Sequence, residues 1–120
     1  MFSVTVPVET VSELNRRDHW SKKYRRAKQQ KEITTLFLRA SRFDKSELKS
    51  PFVVRMTRVA PGQIKDSDNL ASATKAIRDA VANFLGVDDS DLSEVSDVSW
   101  IVRQERGPSY ALRIEIESLD

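Results

Sequence analysis

The chain has 120 residues, of which 39% are hydrophobic and 32% are charged, a composition that suits one ordinary globular domain with a modest core. It has no cysteine and one histidine, which excludes disulfides, thiolate zinc sites, iron–sulfur clusters, cysteine nucleophiles and multi-histidine metal centres. A bound metal would therefore have oxygen ligands. Because neither a signal peptide nor an apolar run of roughly 20 residues is seen, we expect a cytoplasmic protein with no membrane partner.

The formal net charge of +2 hides an uneven distribution along the chain. Residues 15–31 contain eight basic residues and one acidic residue, together with His19, Trp20 and Tyr24. Lys and Arg pair with phosphates while flat rings lie against sugars or bases, so this stretch predicts binding to a polyanion. The alternative is that the charges form a solvated helix face and that Trp20 and Tyr24 are core residues.

The first predicted element is a strand in which Phe2, Val4 and Val6 alternate with polar residues, and Pro7 places it at a sheet edge or at the strand's end. Residues 21–42 lack glycine and proline and repeat apolar residues at helical spacing, which predicts a long helix. The first half of this helix is polar nearly all round, so we expect a partner or a ligand to support it.

Four further elements complete the predicted fold. Residues 52–60 are rich in β-formers and predict a strand, while residues 69–85 show the clearest helical pattern, with a glycine stop. Residues 95–104 and 110–117 predict two strands joined as a hairpin. The expected fold is a single α/β (α+β) domain over residues 1–120, β-α-β-α-β-β, with a mixed sheet, parallel first and second strands, and both helices packed on one face.

Acidic residues cluster around the second helix. Asp66 and Asp68 precede it, and both carboxylates project on the same side if the backbone there is extended. Asp88 and Asp89 follow the helix, about 25 Å away along its axis, so the chain must turn back to bring them close. Three or four carboxylates form a hard ligand set suited to Mg²⁺ or Mn²⁺. Beside a phosphate, such ions activate water for phosphodiester hydrolysis.

Lys75 lies on the polar face of the same helix, with Asp79 one turn later, where it is placed to steady phosphate charge. Each feature also has a purely structural explanation. Asp68 and Asn69 are favoured helix caps, the acids after the helix fit a solvated turn, and Lys75 with Asp79 is an ordinary i,i+4 pair.

The chain resembles the RusA family of Holliday junction resolvases, which are small homodimeric endonucleases of bacteria and their prophages. The resemblance rests on three motifs in order: Asp66-x-Asp68-Asn69-Leu70, Lys75-x-x-x-Asp79 and Gly86-Val87-Asp88-Asp89. It implies a Mg²⁺-dependent nuclease, with Mn²⁺ as a substitute, that binds four-way DNA junctions as a homodimer and makes paired nicks. Such an enzyme acts in DNA recombination and repair.

The resemblance also implies roles for single residues. Metal ligands are expected at Asp66, Asp68 and Asp89, with Asp88 in the adjoining acidic position. The family lysine lies four residues after the second aspartate, where this chain has Ser72, whereas Lys75 lies seven residues after it on the same helix face. We expect Lys75 to act in catalysis. The expected DNA contacts are Asn15, Arg16, Arg17, His19, Trp20, Lys22, Lys23, Arg25, Arg26, Lys65 and Asn69.

Two other functions fit the same residues. A non-catalytic branched-DNA-binding or recombination-accessory protein would use the basic stretch and leave the acids structural; metal-dependent nicking separates it from a nuclease. A protein-interaction domain would present the basic helix to an acidic partner, and its DNA binding would be weak and depend little on salt.

Overall fold

A computed structural model of the chain describes residues 1–11, 20–48, 51–87 and 98–119. In these ranges the elements are β1 (Phe2–Val6), α1 (Trp20–Ala40), β2 (Phe52–Ala60), α2 (Ser67–Leu85), β3 (Val98–Arg106) and β4 (Ala111–Ser118), with a 3₁₀ turn at Lys45–Glu47. The predicted α+β class and the order of elements are confirmed. No helix in this part of the chain is long and apolar enough to cross a membrane.

The sheet has the order β1-β4-β2-β3, which differs from the predicted arrangement in one respect. β4 pairs antiparallel with both β1 and β2, and β3 pairs parallel with β2. β1 and β2 therefore run in the same direction, as expected, but β4 lies between them. The predicted hairpin is wrong: β3 and β4 are antiparallel but are separated by β2.

The central position of β2 explains why the hairpin does not form. Phe52, Val53, Val54, Met56 and Thr57 are all buried, which fits a central strand with a neighbour on each side. The link from β3 to β4 therefore passes over the end of β2. Four extended residues reach up to about 13 Å, which exceeds the roughly 10 Å of two strand spacings.

Gly107 makes this passage possible. Its N–H donates to the carbonyl oxygen of Ala60, the last residue of β2, at 3.0 Å. A Cβ at this position would lie 2.5 Å from Cγ1 of Val59, so a larger residue would force either the Val59 side chain or the link to shift.

The core lies between one face of the sheet and the two helices. Leu112, Ile114 and Ile116 of β4 alternate with polar residues and pack with Ile77 and Val81 of α2, all at most 2% exposed. The opposite face of the sheet carries cross-strand ion pairs, including Arg55–Glu117 at 2.9 Å and Arg113–Glu105 at 3.1 Å. The placement of both helices on one face is therefore confirmed.

Candidate functional site

Both helices begin at the same end of the molecule. β1, β2 and β3 run in one direction, so the helices that follow β1 and β2 return in the opposite direction and lie parallel to each other. Their N-termini therefore meet at the carboxyl ends of these strands, which is where open α/β sheets bind ligands. The start of α1 is basic and aromatic, and the start of α2 is acidic.

Asp66 is the N-cap of α2, and Asp68 lies in its first turn. The Asp66 backbone is extended (φ −98°, ψ 129°), and its Oδ1 accepts a hydrogen bond from the backbone N–H of Asp68 at 2.8 Å. The helix starts at Ser67, two residues earlier than predicted, so the backbone is not extended through both residues and does not place both carboxylates on one side of a strand. Both residues are exposed at the start of the helix.

Two side chains hold the loop that leads to Asp66. The Gln104 side-chain amide bonds both backbone groups of Ile64: Oε1 accepts from its N–H at 2.9 Å, and Nε2 donates to its carbonyl at 2.5 Å. Arg58, only 6% exposed, donates through Nη1 to the Gly62 carbonyl at 2.9 Å and through Nε to Thr10 Oγ1 at 2.8 Å. The loop at residues 61–66, which leads to Asp66, is thus fixed to β2 and β3.

The sequence interpretation missed both of these residues. Arg58 has a detectable signal, since it lies at the same parity of β2 as Val54 and Met56 and so points with them toward the helices. A buried cation needs acceptors, and here neutral oxygens of two loops provide them. Gln104 has the same signal, since it follows Trp100 and Val102 at the same parity of β3, but its partners are backbone groups forty residues away and could not be predicted.

The start of α1 presents aromatic rings and cations to solvent. Trp20 is 72% exposed and Tyr24 is 64% exposed, so neither is a core residue. Lys22 and Arg25 are exposed beside them, whereas Lys23 and Arg26 are half-buried. Trp20 and Tyr24 are one turn apart and share a face, which leaves a surface suited to bases and phosphates.

Lys75 contacts the acid that follows it by one turn. Its Nζ lies 3.3 Å from Oδ2 of Asp79, and Nζ of Lys31 on α1 reaches the same oxygen at 3.7 Å. The i,i+4 pair is therefore formed, and it also joins the two helices. Lys65 is exposed at the start of α2, and Asn69 is half-buried there.

Six predicted site residues lie outside the described ranges: Asn15, Arg16, Arg17, His19, Asp88 and Asp89. Within the described ranges, no group of three acidic or histidine side chains is placed to hold a metal ion. Asp66 and Asp68 supply exposed carboxylate oxygens at the start of α2, the donor type that Mg²⁺ takes. Their chemistry fits the predicted ion, and Asp89, the third ligand that the resemblance implies, lies outside the described ranges.

Comparisons with known proteins give no further assignment. No known protein family matches the chain. No curated protein sequence matches it either. The resemblance to the RusA family therefore rests on the motif residues themselves and stays a prediction.

Proposed function

We propose that this protein is a Mg²⁺-dependent, structure-specific endodeoxyribonuclease that resolves four-way DNA junctions by paired phosphodiester hydrolysis. One observation carries the proposal: the exposed Asp66 and Asp68 pair and the exposed basic and aromatic start of α1 lie at one end of the molecule. A DNA strand held by the cations there lies close to the carboxylates. The setting is DNA recombination and repair in the cytoplasm of a bacterial or phage-infected cell.

Each group at this end has a distinct task in the proposed reaction. Asp66 and Asp68 would hold Mg²⁺ together with Asp89; Mn²⁺ has similar ligand preferences and would substitute. When bound, the metal lowers the pKa of water and offsets charge on the phosphoryl oxygens. Trp20, Tyr24 and the cations of α1 bind the strand through stacking and phosphate pairing. Lys75 adds positive charge on the helix face that continues from Asp68.

The proposed active form is a homodimer. A four-way junction has two-fold symmetry, and paired nicks need two active sites in matching positions. Two copies related by a two-fold axis provide both sites and a wider basic surface than one copy alone.

A nicking assay tests the proposal directly. The purified protein is incubated with a labelled four-way junction or a linear duplex of the same sequence, in Mg²⁺, Mn²⁺, Ca²⁺ or EDTA. We expect symmetric nicks in the junction alone, in Mg²⁺ and Mn²⁺ only. Tight junction binding without cleavage in every metal would instead establish the accessory function. Weak binding that depends little on salt would point to an acidic protein partner.

A further prediction concerns the Gln104 clamp, the two hydrogen bonds by which the Gln104 side chain holds Ile64 in the loop that leads to Asp66. Gln104→Leu removes two hydrogen bonds, so we expect the free energy of unfolding to fall by about 1–3 kcal/mol. We expect the nicking rate of the folded variant to fall about tenfold, because small displacements of reacting groups slow catalysis strongly. Junction affinity in EDTA should change less than about twofold, since the basic surface is untouched.

Glu105→Gln is the matched control for this clamp. Glu105 neighbours Gln104 but projects from the opposite face of the sheet, where it pairs with Arg113. Urea unfolding, nicking rate and affinity should all stay close to those of the unaltered chain, because exposed ion pairs contribute little. An unchanged nicking rate in Gln104→Leu would show that the clamp does not position Asp66.

A further inference from the structure

A groove of about 280 Å³ runs between α1 and α2. Lys23 and Lys31 line it from α1, and Ser72, Lys75 and Asp79 line it from α2. With three lysines and one aspartate, these walls carry a net charge of +2. One carboxylate does not neutralise three ammonium groups, so the groove attracts anions.

Asp79 contacts two of these lysines. Its side chain is 23% exposed, whereas those of Lys31 and Lys75 are 47% and 64% exposed. Both ammonium groups approach the same oxygen, Oδ2, from opposite walls of the groove. These contacts are exposed ion pairs of 3.7 and 3.3 Å, so they hold the lysines weakly and an arriving phosphate competes with Asp79 for them.

The groove begins close to the acidic pair. Ser72 follows Asp68 by one turn, about 6 Å along the axis of α2, and Lys75 follows it by about 10.5 Å. Because the helices are parallel, Lys23 lies at the end of the groove that is nearer to Asp68. Successive nucleotides of one DNA strand rise by about 3.4 Å, so the groove lies two to three nucleotides away from the acidic pair.

We propose that this lysine groove binds the phosphate backbone of the DNA strand on one side of the cleavage position. Lys31 is the new contact, acting together with Lys23, and Asp79 competes with the phosphate for Lys31 and Lys75. The inference rests on the proposed function, because it takes DNA as the ligand. It extends the DNA surface from the exposed start of α1 into the space between the helices.

Two substitutions with opposite expected effects test the groove. Binding of a fluorescein-labelled four-way junction is measured by anisotropy in EDTA at several salt concentrations. Lys31→Gln should weaken binding about fivefold and reduce the salt slope by about 0.9, the value for one lost phosphate contact. Lys31→Arg should restore binding. Asp79→Asn should tighten binding severalfold, because it removes the negative charge that faces the phosphate.

Arg39→Gln is the control, since it removes one exposed positive charge from α1 about 12 Å beyond Lys31 along the helix. Its affinity should stay within twofold of the unaltered chain. Equal affinities for Lys31→Gln and Arg39→Gln would overturn the groove proposal. Weaker binding in Asp79→Asn would also overturn the proposal, because that result is expected if Asp79 only joins the two helices through its ion pair with Lys31.

These outcomes separate the groove from the proposed function. Junction binding that responds to Lys31 and Asp79 supports the groove even if no metal produces nicks. Nicking with no effect of Lys31 supports the nuclease and overturns the groove. Absence of junction binding by the unaltered chain overturns both.

Discussion

Replacing Asp66 with asparagine is expected to abolish metal-dependent nicking and leave the fold intact. The reason is that Asp66 has two candidate roles, as helix cap and as metal ligand, and asparagine keeps only the first. Asparagine caps helices as well as aspartate does, so the hydrogen bond to the N–H of Asp68 is retained. Without the Asp66 carboxylate the metal ion would bind poorly, and its stabilisation of the transition state, worth several kcal/mol, would be lost. This loss corresponds to a rate decrease of about 10³-fold or more.

Three measurements on matched variants separate these roles. Nicking rate, junction affinity in EDTA and urea unfolding are compared for Asp66→Asn and Asp66→Ala. The alanine variant should also lose about 1 kcal/mol of stability, because its helix has no cap. Junction affinity should be unchanged or tighter in both variants, since a negative charge near the phosphates is removed. A fully active Asp66→Asn would show that Asp66 is only a cap.

Replacing Lys75 with alanine is expected to slow nicking about 10²-fold, as removal of one charge-stabilising group does in other active sites. The Lys75 side chain is 64% exposed and its ion pair with Asp79 is a surface contact, so little stability should be lost. The rate is measured at saturating junction in Mg²⁺, which separates the catalytic step from binding. Arg39→Ala, which removes a distant positive charge, should leave the rate unchanged.

Ser72 supplies the second half of this test. It lies one turn before Lys75 on the same face and lines the same groove. If the reaction needs one ammonium group on this face, adding Ser72→Lys to the Lys75→Ala variant should recover part of the lost rate. An unaffected rate in Lys75→Ala alone would contradict a catalytic role for Lys75.

The sequence predicted elements well where a local pattern reports burial. The bounds of β2 were predicted without error, and the predicted start of α2 is two residues too late. The neighbours of each strand were harder to predict. The short link between β3 and β4 favoured a hairpin, and only the two-sided burial of β2 explains why that strand lies between them.

The candidate site was predictable to a similar extent. The apolar pattern of α2 predicted Asp66 and Asp68 at its start, and the charge pattern predicted a binding surface at the start of α1, which stays a prediction. That both starts lie at one end follows from strand direction, which needs the whole topology. The pairing of Lys31 with Asp79 joins two helices and leaves no periodic pattern in the sequence.

The position of β4 also constrains how the protein folds. β1, the first strand, pairs with β4, the last, and Val6 lies opposite Leu112. β1 and the open side of β2 therefore stay without their sheet partner until the last strand is in place. Pairings between such distant segments form slowly, and exposed strand edges meanwhile invite intermolecular pairing. A substitution that disrupts β4 would consequently separate β1 from the rest of the sheet, because β4 lies between β1 and β2.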